Sequence, residues 1–498
     1  MRVSNLLTAA CLVLPANVPT HAPAIDPHAL VTAGLDAMGG DALRNTHSLR
    51  IAGIEHLFAL GNAERAEGPW RVIYSRFSEL RDLDAIRLRR TVTPLSGRAG
   101  AGPQVIVLTD SVMAVSTNGA QSGGSPISVD DALDRLSGAP DRALLLAAAS
   151  TRLRYDGTVS RWGITHDVVS FPWRTGRMAI ELSRETHLPT AVQIVRTYDE
   201  DYRRAPFGDV TVRIEYVDWN VDPAGIWWPH QLILSQNGEP LRNITVDSLH
   251  FDNQPAPADS FTVSDSARAQ FADNAKRTTR TLAFGANGPP TELADGIVRI
   301  PDNWAMTLVR QDDGIVIFEA HISAAYVDAV IAEAHRRFLG LPIKALVMTS
   351  DPWAHIGGVR EAMAKNIPIY INARSVPFLT RLAHMPYTLE PDALARAPHP
   401  PRIIPVAGKV VIGHGPNTIV LYPVGGPYAE RMTMAYFPER RLLYGADLVF
   451  PMPDGKGFDP TPATDLRRAV AREHLAVDSV FCVQRAPLVA WSDFVPAA

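Results

Sequence analysis

The chain has 498 residues, of which 46% are hydrophobic and 20% charged, with a formal net charge of -4. That length exceeds one ordinary compact domain and predicts two or three, while the composition excludes a disordered chain. The slightly acidic balance, with no basic stripe, excludes an electrostatic nucleic-acid binder. No apolar run reaches the roughly 18–20 residues needed to cross a bilayer, so no transmembrane span is expected.

The first element is a leader. Met1 and Arg2 supply positive charge, Leu6 to Leu14 form a short apolar run, and Ala22-Pro23-Ala24 is a small-x-small cleavage pattern. Together they read as a secretory signal peptide over residues 1–24, removed before Ile25, and predict an exported, periplasmic protein; the competing reading is a disordered tail. Cys11 raises the question of lipid attachment. Thr8 stands where a lipobox carries an aliphatic residue, and the apolar run continues past the cysteine, which favours a soluble exported form. Once Cys11 is removed, Cys482 stands alone, so neither an internal disulfide nor a cysteine-based metal cluster is expected.

Residues 28–47 read as a helix that ends at Gly39-Gly40, with a short tail beyond it. Short runs rich in strand-forming residues follow: 48–60, 70–77, 86–92 and 104–108, then 163–171, 176–183, 190–198, 228–235 and 242–250. In Val210-Thr211-Val212-Arg213-Ile214-Glu215-Tyr216 the apolar residues are two apart, as in a half-buried strand. A helical stretch, about Val129 to Arg152, separates the two groups. Residues 25–255 therefore predict a mostly antiparallel, curved β domain, packed on a helix or enclosing a groove for an apolar ligand. Trp227-Trp228 reads as packing at a strand entrance. Residues 256–291 read as a linker, with breakers in Gln254-Pro255-Ala256-Pro257 and Gly288-Pro289-Pro290.

From residue 292 the rhythm changes. Ile315-Val316-Ile317-Phe318 is a continuous apolar run, as in a strand buried on both faces. Val327, Val330, Ile331, Ala334 and Phe338 then form one helical stripe. A strand at 343–348, a helix at 355–365 and a strand at 367–371 continue an alternation typical of an α/β unit. Strands at 418–422, 432–437 and 442–444, a helix at 462–475 and a strand at 480–483 complete the chain. The fold class expected is α+β in two domains, the second spanning 292–498.

Ala345-Leu346-Val347-Met348-Thr349-Ser350-Asp351-Pro352-Trp353-Ala354-His355-Ile356-Gly357-Gly358 resembles the signature of metallo-β-lactamase-fold hydrolases, in which a strand ends in Thr, then H-x-H-x-D-H, then Gly-Gly. Glu319 after the first central strand, and Leu442-Leu443-Tyr444-Gly445-Ala446-Asp447, fit the same framework. The resemblance covers about residues 292–498 and implies an αββα sandwich with a zinc site along one edge. Zinc hydrolases need at least three protein ligands and an open position for water, whose pKa the metal lowers.

Set against that pattern, the ligand positions are depleted. The first His is Ser350, the second is Pro352, and the Asp is Ala354; a later His aligns with Tyr428 and the terminal His with Gln484. His355 and the bridging Asp447 remain as the remnant, and as weak metal candidates. They should lie close together, as an acid–base pair or as a structural pair. Ser350, Asp351 and His355 suggest a nucleophile triad, but no G-x-S-x-G elbow occurs, and a solvent-facing turn is the favoured reading. Tyr428 either donates to a ligand or plugs the former metal cavity. Asp351, His321 and His414 are candidate replacement ligands, while Gly357-Gly358 permit close backbone approach.

Two functions of different class follow. The first is a pseudoenzyme, exported, needing no cofactor, that binds an unknown small or apolar ligand or a partner. The alternative is a hydrolase of the same superfamily acting on an ester, lactone or related bond through an atypical mononuclear zinc site or none. A purely structural envelope role is a third possibility. The sequence names neither the substrate nor an oligomeric state.

Overall fold

The computed structural model describes residues 25–62, 70–95, 102–109, 111–198, 201, 203–276, 287–302, 304–452, 455, 457–484 and 488–496. The leader call, with Cys11, lies outside the described residues. Helix α1 (Pro27–Met38) starts at Asp26, whose carboxylate accepts from the His28 amide, and stops at Gly39, whose φ of 142° a side chain would resist. It ends at the Gly39-Gly40 stop that the sequence marks, and the short tail beyond carries a one-turn helix, α2 (Asp41–Arg44).

Among the described residues, thirteen strands form one wholly antiparallel sheet. Its first half is β1 (Ser48–Phe58), β2 (Val72–Asp82), β3 (Arg87–Pro94), β4 (Gln104–Thr109), β5 (Val112–Thr117) and β6 (Ala120–Gly123). Its second is β7 (Arg154–Arg161), β8 (Ile164–Trp173), β9 (Gly176–Ser183), β10 (Pro189–Arg196), β11 (Val210–Val221), β12 (Trp227–Gln236) and β13 (Glu239–Asp252). Each half is a meander, and the halves meet where β1 pairs with β13, Ser48 opposite Asp252. Asn118-Gly119 and Asn237-Gly238 supply the left-handed residue pairs that tight hairpins require.

The edge strands β6 and β7 are consecutive in the chain. They are joined by α3 (Pro126–Ser137) and α4 (Pro140–Ala149), two helices where the sequence suggested one. Pro140 forces the break. Leu88, Leu108 and Met113 face α3, whereas Val107 and Ala114 pack on the other face against Phe261 and Ala267. The latter comes from α5 (Asp265–Ala275), which lies within the stretch read as a connector. Trp228 is 1% exposed and packs on Phe251, while Trp227 is 40% exposed.

Two further sheets follow. One runs β14 (Thr291–Ala294), β15 (Ile297–Ile300), β16 (Met306–Gln311), β17 (Gly314–Phe318), β18 (Ile343–Val347), β19 (Ile369–Asn372) and β20 (Ile403–Val406), parallel from β17 onward. Its crossovers carry α6 (Ala324–Arg337), α7 (Val359–Ala364), α8 (Val376–Ala383) and α9 (Ala393–Arg396). The other runs β21 (Val410–Ile412), β22 (Ile419–Pro423), β23 (Thr433–Phe437), β24 (Leu442–Tyr444), β25 (Ser479–Phe481) and β26 (Val489–Ala490), with α10 (Pro460–Arg472) crossing from β24 to its parallel neighbour β25.

The two sheets bury Val316, Phe318, Val347, Phe437, Tyr444 and Phe481 between them. Helices α6 to α8 cover one outer face and α10 the other. The helical face is continuous with the core of the thirteen-stranded sheet. At that contact Phe207 meets Trp353 edge to face, 4.7 Å between ring centres, and Asp209 accepts from the amides of Thr388 and Leu389.

Candidate functional site

Four strand ends meet at one edge of the sandwich. β17 delivers Glu319 and His321, β18 delivers Thr349 and Ser350, β24 delivers Asp447, and β25 delivers Gln484. His355 arrives from a single 3-10 turn, Trp353–His355, which begins after Pro352. The turn docks tightly. A Cβ on Gly357 would lie 2.3 Å from the Ile322 carbonyl oxygen, and one on Gly358 would lie 2.6 Å from that of Ser323. Only glycine lets the two backbones approach this closely.

His355 and Asp447 do come together, with Nδ1 3.1 Å from Oδ2. The Ser350 hydroxyl donates to Asp447 Oδ2 at 3.2 Å and lies 3.0 Å from the same His355 Nδ1. Gln484 Nε2 donates to the other Asp447 oxygen at 2.7 Å. Exposure is 1% for Ser350, 3% for His355 and 4% for Asp447. Burial disfavours charge on each group: it pushes the Asp447 carboxyl up to about 6, against the pull of Gln484, and the His355 imidazole down to about 3. At neutral pH His355 is uncharged.

The expected solvent-facing turn at Ser350 and Asp351 is corrected. Ser350 is enclosed by strand ends from both sheets, and Asp351 is 2% exposed with its Oδ1 2.9 Å from Arg431. The geometry is not that of a nucleophile triad either. A relay uses one imidazole nitrogen for the serine and the other for the carboxylate, whereas here Nδ1 meets both. Asp351 points to Arg431, not to His355.

Behind this group lies a second one. Glu319 and His321 are fully buried, and the carboxylate Oε2 is 3.7 Å from His321 Nε2. Thr349 and Tyr444 donate their hydroxyls to Glu319 Oε1. Burial, followed by the field of Asp447, drives the Glu319 carboxyl up to about 8 despite those donors. His321 Nδ1 faces the Trp304 carbonyl oxygen at 3.3 Å, which fixes Nδ1 as the donor and leaves a lone pair on Nε2. That nitrogen is buried with no hydrogen-bond partner. Donor atoms of Glu319, His321 and His355 lie within 4.8 Å of one another, and the two rings are 4.3 Å apart.

The remaining candidates are placed elsewhere. His414 is exposed and faces Asp312 at 3.7 Å. Tyr428 is half-buried, packed against the core that α10 covers, its amide donating to Asp465. Pro352 immediately precedes the 3-10 turn and accepts from the His355 amide, and Ala354 lies within the turn and accepts from that of Ile322. Cys482 is buried and unpaired, its thiol pushed up to about 12 by burial. Sequence reasoning held Glu319 only as part of the framework and His321 only as one of three stray candidates. Their shared signal is position, two residues apart after β17.

No family model and no curated protein matches the sequence. Solved structures that are similar in part include a metallo-beta-lactamase from Pontibacter korlensis, 15% identical, with 41% of this chain and 94% of that one covered and a TM-score of 0.32. A mono-zinc metallo-beta-lactamase from Pseudomonas aeruginosa is 16% identical over 41% of this chain and 91% of its own, with a TM-score of 0.31. A stereoselective inverting sec-alkylsulfatase from Pseudomonas sp. is 14% identical over 41% of this chain and 39% of its own, with a TM-score of 0.30.

Proposed function

We propose that this chain is an exported, two-domain protein of the metallo-β-lactamase fold that has given up zinc-dependent hydrolysis and acts by binding a small or apolar ligand. The observation that carries the reading is the closure around Asp447. Both its oxygens are occupied, by Gln484 and by Ser350, where the resemblance would place zinc ligands or zinc. The family's zinc set does not fit here: the side chains of Pro352 and Ala354 carry no donor atom, and Tyr428 packs half-buried against the core that α10 covers. Burial of Ser350, His355 and Asp447 supports the same reading.

A second reading has one specific observation in its favour, the unpartnered Nε2 of His321. Glu319, His321 and His355 offer one oxygen and two nitrogens, a donor set suited to a single zinc-like ion. Such an ion would act as a Lewis acid, with Thr349 and Tyr444 holding the Glu319 carboxylate in place. Turnover separates the two readings. Hydrolysis of chromogenic β-lactam, lactone, aryl ester and sulfate ester probes is expected to remain at the buffer rate with or without added zinc. A rate above buffer that is lost in the His321→Ala, His355→Ala variant would establish the second reading instead.

A further inference from the structure

The thirteen-stranded sheet turns one face to the core it shares with the sandwich, through Leu49, Ile51, Phe77 and Phe251. Strand alternation sends their neighbours to the opposite face. There the register sets His250, Arg50 and Arg89 in one row across β13, β1 and β3, with Leu80 of β2 between the two arginines. The next row holds Ser248, Ser78 and Thr91, with the short Ala52 on β1. The two rows line an open groove of about 450 Å³. It crosses three strand gaps, roughly 14 Å. Beyond β3 the same face is covered by Phe261 and Ala267, which pack on Val107 and Ala114, so the groove begins where that cover ends.

The arginines of this groove have little acidic compensation. Arg89 meets no carboxylate among the described residues; its Nη1 donates to the Ser260 carbonyl oxygen at 3.4 Å. Arg50 has Asp252 at 3.7 Å, and 54% of its side chain is exposed. A β-bulge opposite Ala52 and Gly53 takes Asp247 out of the alternation, and its carboxylate turns to Arg76 at 3.3 Å. The acidic lining residue, Glu79, alternates to the core face, where Arg81, Arg90 and Arg135 hold it. The side chains of Ser78, Thr91, Ser248 and His250 make no hydrogen bond to another described residue. Planar guanidinium groups match carboxylate or phosphate oxygens, and a hydroxyl both donates and accepts. Side by side, the two rows are complementary to an oxyanion that itself carries hydroxyls.

We propose that this groove binds a small polyhydroxylated oxyanion, a sugar phosphate or a sugar acid. Its anionic group lies between Arg50 and Arg89, and its hydroxyls lie against Ser78, Thr91 and Ser248. The proposal goes beyond the functional reading above and does not depend on it, since the groove is on the face opposite the shared core. Its test is calorimetric titration of the full chain, at about 0.15 M salt so that loose surface attraction is screened, with glucose 6-phosphate, glucuronate, glucose and inorganic phosphate. Glucose 6-phosphate or glucuronate is expected to bind at one site per chain, the better of the two identifying phosphate or carboxylate as the anionic group. Glucose and inorganic phosphate should each be at least about tenfold weaker.

Arg50, Ser78 and Arg89 are exposed, so they can be changed without disturbing the core, and an unchanged urea midpoint checks that each variant folds. Arg50→Glu, Arg89→Glu and the groove-filling Ser78→Trp are each expected to weaken the preferred anion about tenfold or more. Lys409→Glu, beside a different cavity, should leave binding unchanged. Three results would overturn the proposal: no saturable binding of either sugar anion, glucose or inorganic phosphate binding as tightly as the better one, or unchanged affinity in all three groove variants. Metal content and hydrolysis of the same preparations report on the functional reading separately, so the two can fail independently.

Discussion

At the scale of single residues, Ser350 is the hinge of the account. One hydroxyl holds both an uncharged imidazole and a carboxyl whose ionisation is already suppressed. Removing it takes one of three contacts from a buried cluster in which His355 and Asp447 still face each other at 3.1 Å. Ser350→Ala is expected to cost about 1–3 kcal/mol of stability, read from the urea midpoint, with no effect on any hydrolytic rate. Loss of a measurable activity in that variant would instead mark Ser350 as catalytic. The pairing of His355 with Asp447 was legible because the motif and the strand-end Asp each keep their framework. The burial of Ser350 was not, because Ser-Asp-Pro carries the chemistry of an exposed turn and the segments that cover it, around Asp447 and Gln484, are remote in sequence. His321 stood only as one of three candidate replacement ligands for a related reason: an isolated histidine gains meaning only once its Nε2 is seen buried beside Glu319.

At the scale of elements, strand alternation made most of the large sheet readable, because each strand has one buried face. The pairing of β1 with β13 leaves no mark in local pattern; it follows from two meanders closing on each other. Between β7, β9 and β11, Glu181 is gripped by Arg161 at 2.8 Å and Arg213 at 2.7 Å. Burial opposes its ionisation, but the two guanidinium groups prevail and hold it down to about 2 from an ordinary 4.5. A depressed carboxyl stabilises the fold above its unfolded pKa and loses that contribution as pH falls through the folded one. The urea midpoint of Glu181→Gln should therefore lie below wild type by about 1–3 kcal/mol at pH 6. The gap should narrow steadily from about pH 4.5 toward pH 2. A gap independent of pH would mean the pair contributes by packing alone.

At the scale of the whole molecule, the thirteen-stranded sheet and the sandwich share a contact that sequence reading did not anticipate, since breakers near residue 255 and at 288–290 suggested separate units. Gly208 is a close approach within it. It has φ 65°, and a Cβ there would lie 2.3 Å from the Pro386 carbonyl oxygen. Gly208→Ala must either strain the backbone or push the 386–389 segment away from Asp209, at a cost of about 1–3 kcal/mol. Limited proteolysis should show faster cleavage around residues 384–392 in the variant, and an unchanged pattern would mean the contact gives way without loosening. Trp353 belongs to both regions: it meets Phe207 and lines a cavity together with residues of β1 to β5 and α3. The turn that carries His355 is thereby tied to a cavity bounded by the other sheet.

The central claim is that the sandwich has kept its framework while its metal chemistry was lost. It is tested most directly by plasma mass spectrometry of zinc, iron and manganese in residues 25–498 purified without chelator, beside the His321→Ala, His355→Ala variant. The account predicts far less than one metal ion per chain in both proteins. About one ion per chain in wild type, absent from the variant, would contradict it and show that the site was rebuilt around Glu319, His321 and His355.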